Sequence, residues 1–513
     1  MMRTKKAVRI ANGGLVLLEQ LPILDYDTFA DGVLSEFASG SRAAAYFGVM
    51  PGDDAGDGVE LFAIMARERN ANFAIYRTRI GEHFQALTAN CPQLHLFERE
   101  IAEQFGVVPE GHPWCKPLRF HASWRPGHDA WGRDSGKHPL PGDMDYYRVE
   151  GDGIHEVAVG PVHAGVIEPG HFRFQCYGEK VLHLEISLGY QHRGLEKMLI
   201  GGPHPASAWQ METVAGDTSV GHMTAYSKVI EGLSGCSGGA PPRSQVIRAL
   251  GLELERLANH VGDIGALSGD VGFLPTAAFC GRLRGDYLKM TAALCGSRFG
   301  RGLVRPGGVG FDLEPALRDQ IMASLTAVEA NTLGACKLFF DTPSVLSRLE
   351  GIGRVSRSTA EDLGLVGVAA KACGVPRDGR FFFPTGIYRE TFDEMITDEL
   401  GDVFARGRVR HREIEVSIGL VRRMLTALPD GPVGMPLGPL RPAALSLSLV
   451  EGWRGEVVHV AITGSDGRFR RYKIVDPSFH NWSGLSMALR GTQISDFPLC
   501  NKSFNLSYCG FDL

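Results

Sequence analysis

The sequence predicts an α+β N-terminal domain followed by a larger, mainly α-helical domain with peripheral β-hairpins. Three observations support this fold class. Residues 1–120 alternate short apolar strands with helices, whereas the later part contains long segments with apolar residues at helical spacing. Alternating apolar residues around turn residues predict hairpins at 160–197 and 456–475. Residues 121–150 are rich in Gly, Pro, Asp and His, which predicts a linker between domains 1–120 and 151–513.

Each predicted element of the first domain has its own signal. In order, these elements are a helix at 25–37, a strand at 43–49, a hairpin formed by 59–65 and 73–80, and a helix at 95–104. The hairpin is predicted because turn-forming residues, Arg-Asn-Ala-Asn at 69–72, separate two apolar runs. The last helix is predicted to end near Phe105, because Gly106 is a natural C-terminal stop.

The second domain is predicted to begin with the hairpin at 160–197 and to continue mostly as helices. These helices are expected at 206–233, 241–267, 274–295, 314–340, 364–373 and 409–428. In the second of them, Pro241 and Pro242 stand at the start, where proline is tolerated, and apolar residues follow at helical spacing. The hairpin at 456–475 comes next. The tail at 476–513 has no obvious period, so no element is predicted there.

Composition narrows the class of protein. The chain has 513 residues, enough for two or three domains, and a formal net charge of −5. Nucleic-acid binding favours a basic surface, so this charge argues against it. No apolar run reaches the roughly 18 residues that a membrane helix needs. The start of the chain, MMRTKK onward, lacks the pattern of a signal peptide, so we expect a cytoplasmic protein.

The ten cysteines are scattered along the chain, at positions 91, 115, 176, 236, 280, 295, 336, 373, 500 and 509. No two of them form a C-x-x-C pair. In a cytoplasmic protein of this size most are expected to be buried thiols, because an unpaired cysteine packs like a small apolar residue.

Several motifs in one order resemble a known family. They are GPVHAGVIEPGHFRF, LGYQHRGLEK, IRALGLELERLANH, GLVGVAAKACGVPRDGR, GDVFARGRVRHREIEVS and VEGWRGEVVHVAIT. Together they resemble the large subunit of membrane-bound, energy-converting nickel–iron hydrogenases of the formate hydrogenlyase type. More distantly, they resemble the quinone-site subunit of respiratory complex I. Several motifs in a shared order are more specific than any one of them.

A second resemblance lies in the first domain. The stretch LHLFEREIAEQFGVVPEGHPW contains Glu-Arg-Glu, Phe-Gly and Gly-His-Pro in that order. This order resembles the signature of the thirty-kilodalton-type subunit of complex I, and of the matching domain in the formate hydrogenlyase large subunit. In that family the domain carries no cofactor and serves assembly. The resemblance therefore implies an interface role for residues 1–120.

The resemblance also implies where a metal would be held. In such hydrogenases two C-x-x-C pairs hold nickel, since soft thiolate ligands suit this metal. By motif position the first pair corresponds to Ala215 and Thr218, and the second to Ser478 and Asn481. All four thiolates are absent. We therefore expect no nickel–iron centre, and no metal or cofactor bound directly by this chain.

The residues that usually contact the quinone are absent as well. Relatives in complex I use a histidine on the first hairpin turn and a tyrosine near the start of the next helix. By motif position these residues are Ile167 and Gly216. A different mode of quinone binding stays open.

The polar residues left around this position could still move protons. Asp217, His222, Asp476 and His480 are the candidate relay, because histidine titrates near neutrality and buried carboxylates shift their pKa. Two alternatives remain: a polar network that only stabilises the old pocket, and a substituted metal site formed by His222, His480 and Asp217.

The hairpin turns carry a second group of candidates. By resemblance, His163, His192, Arg193 and Glu196 would lie near a partner iron–sulfur subunit and form an interface with it. The alternative is structural, since Arg193 and Glu196 could pair with each other at helical spacing.

The resulting hypothesis is a large-subunit-like component of a membrane-associated oxidoreductase complex that couples electron transfer to ion translocation without its own nickel–iron site. By resemblance, an iron–sulfur small subunit carries the cluster, and antiporter-like subunits lie in the membrane beneath. The chain would then sit at the inner face of the cell membrane. A non-catalytic scaffold is one alternative. Another is an active hydrogenase, or a quinone-reducing subunit like that of NADH dehydrogenase, with altered ligands.

Overall fold

A computed structural model describes residues 7–51, 58–133, 138–165, 167–236, 238–392 and 394–513. The basic start MMRTKK, considered above for targeting, lies outside these residues. Within the described ranges, no helix is both long and apolar enough to cross a membrane.

The N-terminal part forms an antiparallel sheet with helices against it. Its elements are β1 (Val8–Ala11), β2 (Leu15–Leu17), α1 (Tyr26–Ala38), β3 (Arg42–Val49), β4 (Val59–Arg67), β5 (Asn72–Ile80), β6 (His83–Gln85), α2 (His95–Phe105) and β7 (Val108–Glu110). The strand order is β1-β5-β4-β3. The predicted hairpin is confirmed as β4–β5, with Val59 opposite Ile80. Gly106 ends α2 in the left-handed region, at φ 66°, as its sequence position predicts.

A three-stranded antiparallel sheet opens the second part of the chain. It consists of β8 (Ile154–Val159), β9 (His171–Tyr177) and β10 (Lys180–Ser187), in the order β10-β9-β8. Since Ser187 pairs with His171, the turns that precede β9 and follow β10 lie at the same end of this sheet. The predicted hairpin is therefore present, with one strand more than expected.

Helices make up most of the middle of the chain. They are α3 (Leu195–Met198), α4 (Ser207–Met211), α5 (Ser219–Leu233), α6 (Pro242–Asp270), α7 (Leu274–Cys295), α8 (Pro315–Asp341), α9 (Pro343–Leu349), α10 (Arg357–Asp362), α11 (Gly367–Lys371), α12 (Gly379–Phe382), α13 (Tyr388–Thr391) and α14 (Val403–Thr426). A two-stranded ribbon, β11 (Val304–Arg305) and β12 (Gly308–Val309), interrupts them. Helix α14 begins six residues before the predicted start, because Asp402 caps it by accepting from the Ala405 amide at 2.8 Å.

The prediction of one helix over 206–233 is wrong. The chain leaves helical geometry between α4 and α5, where the Ser219 hydroxyl donates to the Glu212 carbonyl at 2.9 Å. The first backbone amides of α5 have no preceding helical turn whose carbonyls could accept their hydrogen bonds. Instead, the Glu255 carboxylate accepts from Val220 and Gly221 at 2.8 and 3.2 Å. A side chain from α6 thus replaces a local cap, which helical spacing alone does not reveal.

The C-terminal part contains the sheet β15-β14-β13-β2. Its elements are β13 (Ala444–Glu451), β14 (Glu456–Thr463), β15 (Phe469–Val475), α15 (Pro477–Ala488), α16 (Phe497–Phe504) and α17 (Tyr508–Asp512). The predicted hairpin at 456–475 is present as β14–β15. The expectation that it is peripheral is wrong, because every residue of β14 and all but one of β15 are buried. Helix α5 packs on β13 and β14, and β3 contacts β15. The helices of the tail escaped prediction because each is short.

The two parts of the chain share one core. Strand β2 belongs to the N-terminal segment but pairs with β13, with Leu17 opposite Ala444. The segment at 121–150 contains no helix or strand among its described residues, yet it is anchored. In it, Arg125 is buried and donates to Glu82 at 2.6 Å. The domain boundaries at 120 and 150 stay a prediction.

Arg42 connects the two sheets through a buried ion pair. It donates through both terminal nitrogens to Glu456, and through Nε to Glu68 at 2.8 Å. We expect Arg42→Met to lower the free energy of unfolding by about 3–5 kcal/mol, because the Glu456 carboxylate would stay buried without its cation. Guanidinium chloride denaturation measures this change.

Arg357→Met is the matched control, because Arg357 pairs with Glu361 on an exposed helix face at 3.0 Å. The loss in the free energy of unfolding for Arg357→Met should stay near 0.3–0.5 kcal/mol, roughly what exposed ion pairs of this spacing contribute. Equal losses in the two variants would contradict the role given to the buried pair.

Candidate functional site

The four positions expected for metal-binding thiolates lie together in the interior. Ala215 and Thr218 precede α5, Ser478 and Asn481 lie in the first turn of α15, and all four are buried. The polar three are used in hydrogen bonds within the fold. Thr218 Oγ1 accepts from Trp453 at 3.1 Å, and Ser478 Oγ accepts from the Ser507 amide at 2.9 Å. The Asn481 amide bonds both backbone groups of Val366, at 3.0 and 3.1 Å.

A chain of four hydrogen-bonded side chains runs beside these positions. Asp476 Oδ2 lies 3.0 Å from His222 Nε2, and His222 Nδ1 lies 3.0 Å from His459 Nε2. His459 Nδ1 in turn lies 2.9 Å from the Tyr472 hydroxyl. None of the four side chains is more than 1 % exposed. We call this group the Asp476–Tyr472 chain.

The fold positions each member. Asp476 is the N-cap of α15, His222 lies on the first turn of α5, and the other two lie on adjacent strands. In the register of β14 and β15, Ala461 is opposite Tyr472 and His459 is two residues away, on the same face. The diagonal neighbours can therefore bond across the sheet.

Burial and charge set the protonation of the chain. Burial alone would raise the pKa of Asp476, but the hydrogen bond from His222 and the charge of Arg454 hold it below its ordinary value. Burial, with the neighbouring His222, puts the pKa of His459 well below its usual range. Burial puts the pKa of Tyr472 well above the ordinary value for a tyrosine. Asp476 is therefore ionised at neutral pH, while His459 and Tyr472 are neutral.

The four predicted relay residues are only partly brought together. His222 and Asp476 are in contact, but Asp217 instead forms a two-pronged ion pair with Arg454, at 2.6 and 2.8 Å. His480 lies apart, with its ring 5.6 Å from that of Phe97. Its Nε2 has no hydrogen-bond partner among the described residues, and burial with nearby arginines lowers its pKa to about 3.

His459 and Tyr472 were missed by the sequence prediction. The signal was present, since His459 is the one polar ring in the apolar run VVHVAIT. A histidine inside an otherwise apolar strand needs a buried partner. The partner could not be named because it lies on α5, far away in the sequence.

The predicted metal site of His222, His480 and Asp217 is not assembled. His222 bonds Asp476 and His459. Asp217 pairs with Arg454, and the His480 ring packs against Phe97. Among the described residues, no group of three or more His, Cys, Asp or Glu side chains is arranged to hold a metal ion. At the positions considered for quinone, Ile167 is 45 % exposed at the hairpin turn and Gly216 presents no side chain.

Three of the predicted interface residues tie the turns to the C-terminus and to their own loop. His163 Nε2 lies 2.9 Å from the Gly170 carbonyl, and His192 Nδ1 lies 2.7 Å from that of Asp512. Arg193 is exposed and donates to the carbonyls of Thr213, Val214 and Cys509. The alternative pairing of Arg193 with Glu196 is therefore not formed.

Glu196 is not available as a surface contact, contrary to the expectation for this residue. It is 3 % exposed, and it lies 3.0 Å from Lys473 Nζ and 2.9 Å from Arg471 Nη2. Burial alone would raise its pKa, but the charges of Arg471, Lys473 and Arg119 hold the pKa of Glu196 well below its usual range. This glutamate is a buried anion of the core.

A second buried group of charges lies near the turn that joins β13 to β14. Lys371 Nζ contacts Glu413 at 2.7 Å and Glu451 at 3.3 Å, and His260 contacts Glu413 at 2.7 Å. Arg256 donates to the carbonyls of Glu451 and Gly452. Burial raises the pKa of Glu451 to about 7, with Asp378 adding to this shift and Lys371 opposing it. This carboxyl can therefore gain and lose a proton near neutrality.

Comparison with known proteins places these features in a family. The family described as "Respiratory-chain NADH dehydrogenase, 49 Kd subunit" matches residues 270–439, and the one described as "30 Kd subunit" matches 38–146. The "Carbon monoxide-induced hydrogenase" of Rhodospirillum rubrum is 32% identical over 352 residues, which cover 68% of this chain and 97% of that protein. The chain belongs to this family of 49-kDa-type and hydrogenase large subunits.

Other members and a solved structure extend the likeness. "Formate hydrogenlyase subunit 5" of Escherichia coli is 30% identical over 438 residues, covering 83% of this chain and 76% of that protein. The membrane-bound sulfane sulfur reductase, described as an archaeal respiratory membrane complex, contains a chain that aligns with a TM-score of 0.66 at 23% identity. That alignment covers 72% of this chain and all of the other, and it shows the shared fold.

The predicted resemblance is thereby confirmed, including the 30-kDa-type domain in the same chain as the 49-kDa-type domain. All four members of the Asp476–Tyr472 chain lie outside both matched ranges. Their arrangement is a finding of the structure alone.

The lowered pKa of Asp476 gives a test of the geometry. We expect Asp476→Asn to lower the free energy of unfolding by about 1–3 kcal/mol at neutral pH, because a charged acceptor for His222 is lost. Since the folded pKa lies below the unfolded value of 3.8, the loss should be full above that pH and shrink as pH falls below it. Urea denaturation between pH 3 and 7, roughly the range in which the carboxyl of the unfolded chain changes protonation, measures this dependence.

Asp319→Asn on the exposed surface of α8 is the control, and its effect should be small throughout. A loss at Asp476 that is the same at every pH would argue against an ionised carboxylate there.

Proposed function

We propose that this chain is the large-subunit-like component of a membrane-associated oxidoreductase complex, and that it couples electron transfer to ion translocation without a nickel–iron centre of its own. Family membership supports the complex, since relatives are a carbon monoxide-induced hydrogenase and a formate hydrogenlyase subunit. The Asp476–Tyr472 chain carries the proposal, because it can move a proton through the interior. The proposed partners are an iron–sulfur small subunit and antiporter-like membrane subunits, with the chain at the inner face of the membrane.

The residues at the former ligand positions do not fit a nickel site. Nickel in this setting needs thiolates, whereas the four positions carry Ala, Thr, Ser and Asn, and the whole sequence contains no C-x-x-C pair. Cys509 Sγ lies 3.4 Å from the hydroxyl of Ser507, whose backbone amide donates to Ser478. We therefore route no step through a metal.

The hydrogen bonds of the Asp476–Tyr472 chain can all point one way. With the Tyr472 hydroxyl donating to His459 Nδ1, the Nε2–H of His459 donates to His222 Nδ1, and the Nε2–H of His222 donates to Asp476. Each imidazole then carries one proton and is neutral. This matches the lowered pKa values of His459 and Asp476.

Transfer of one proton reverses this orientation. The Tyr472 hydroxyl takes up one proton from a donor outside the four side chains and passes its own to His459 Nδ1. His459 then passes its Nε2 proton to His222, and His222 passes its own to Asp476. Both imidazoles end as the other tautomer, Asp476 ends protonated, and no net charge stays on the rings. Because Asp476 favours the ionised form, a charge change nearby must drive this step.

Arg454 links the chain to the second group of charges. It pairs with Asp217 and lowers the pKa of Asp476 through its charge. The next residue back, Trp453, lies with its ring 6.1 Å from that of His260, which bonds Glu413. In the proposed coupling, a change of charge at Asp476 acts through Arg454 and Trp453 on groups that titrate near neutrality, such as Glu451. We propose this succession as the coupling route.

Nickel analysis tests the loss of the metal centre. In the purified complex we expect no nickel bound to this chain, measured as metal content per chain by mass spectrometry. The comparison protein is a relative that contains both C-x-x-C pairs, purified in the same way. Approximately one nickel per chain would overturn the proposal.

His459→Gln tests the relay. Glutamine can hydrogen-bond but cannot exchange its protons between two nitrogens, so proton transfer should fall by roughly 100-fold or more. The measurement is the acidification of inverted membrane vesicles. The part of this acidification that depends on the protein is the part that disappears when its gene is deleted. His459→Gln should lose this protein-dependent acidification, while the amount of assembled complex stays normal.

His155→Gln is the matched control, because His155 is exposed on β8 and lies outside the chain. It should retain the full protein-dependent acidification. If His459→Gln also retains the full acidification in an assembled complex, this protein acts as a scaffold and the relay through the Asp476–Tyr472 chain is excluded.

A further inference from the structure

A cavity of about 640 Å³ lies between the 30-kDa-type part and the second part of the chain. Helix α2, the segment that follows β7, strand β10 and helix α15 all contribute to its wall. Its volume is in the range of pockets that hold small organic molecules. The cavity shares no member with the Asp476–Tyr472 chain.

The wall of this cavity is mostly apolar. Leucines from three elements, Leu96, Leu118 and Leu182, line it together with Met487. Aromatic rings add to this surface. The Tyr147 ring lies 4.8 Å from that of His183 and 5.5 Å from that of Trp114. An occupant must therefore present a largely apolar body.

Arg99 places an uncompensated positive charge on this wall. Its Nε and one terminal nitrogen each donate at 2.8 Å to a backbone carbonyl, of Lys116 and Pro117. Among the described residues no carboxylate lies within ion-pair distance of it, and its other terminal nitrogen, Nη1, has no hydrogen-bond partner. Burial lowers the pKa of Arg99 below its ordinary value, while the nearby carboxylates of Glu103 and Glu185 act in the opposite direction.

The remaining charges of the cavity do not neutralise Arg99. The one acidic residue on the wall, Glu185, is already bonded to Lys116 Nζ and to the Tyr147 amide, both at 2.7 Å. Arg490 adds a second positive charge, and its polar contact among the described residues is His183 at 3.5 Å. The net electrostatic character of the cavity is positive.

We propose that this cavity binds a small amphipathic carboxylate, with its apolar body among the leucines and aromatic rings and its headgroup on Arg99. A carboxylate suits the free edge of a guanidinium, because charge-assisted hydrogen bonds between the two groups are short and strong. It also supplies the missing counter-charge without adding a polar group elsewhere. The inference stands apart from the proposed proton route, since it uses none of the same residues.

Calorimetric titration of the full chain tests the headgroup. Decanoate is the probe, and decanol, which has the same chain length but no charge, is its partner. We expect decanoate to bind more tightly than decanol, and Arg99→Met to weaken decanoate by roughly tenfold or more without changing decanol. Arg318→Met, on the outer surface of α8, removes an arginine elsewhere and should leave both affinities unchanged.

Met487→Trp tests the location, because a larger side chain takes up cavity space while Arg99 stays in place. Decanoate and decanol should both lose affinity in this variant. Thermal unfolding of each variant identifies any that fail to fold, and Arg490→Gln then provides a milder change at the same wall. The proposal is overturned if decanoate does not bind, if it binds no better than decanol, or if folded Arg99→Met or Met487→Trp protein binds it normally.

Discussion

Compensation of buried charge is the constraint on which this structure depends. Lys473 is fully buried in the C-terminal sheet and is neutralised by Glu100 from α2 and Glu196 from α3, at 2.6 and 3.0 Å. An unpaired ion at such a place would cost several kcal/mol, approximately the net stability of many domains. The three elements must therefore meet. The same requirement joins Arg42 to Glu456, so the two parts of the chain cannot separate without exposing charges that the core was built around.

Three of the four positions where the resemblance implies metal-binding thiolates form ordinary structural hydrogen bonds. Thr218, Ser478 and Asn481 each satisfy backbone or side-chain groups from other segments. What remains beside them is polar and connected, from Tyr472 to Asp476. A buried network in which every member is paired rigidifies its surroundings. The same pairing gives the proton a defined path, so stability and the proposed relay have one geometric origin.

The sequence predicted local features well and long-range ones poorly. The β4–β5 hairpin and the long helices follow from turn residues and apolar spacing, which are local. The break before α5 was missed because Glu255, on another helix, replaces its cap. His222 and Asp476 were found through motif position, whereas His459 was not, since only the folded sheet brings it to α5. Glu196 was misplaced for the same reason, because its partner Lys473 is distant in sequence.

The pairing of β2 with β13 has a consequence for biosynthesis. The edge of the C-terminal sheet is covered by Leu15–Leu17, which leave the ribosome long before Ala444–Glu451. An unpaired strand edge is a template for association with other chains. Residues 15–17 therefore stay without their strand partner until β13 has been synthesised. Completing the sheet then closes a loop that includes almost every other element, at a substantial entropic cost. The pairing of β2 with β13 can therefore form only after β13 has been synthesised, when nearly all of the chain is available to fold.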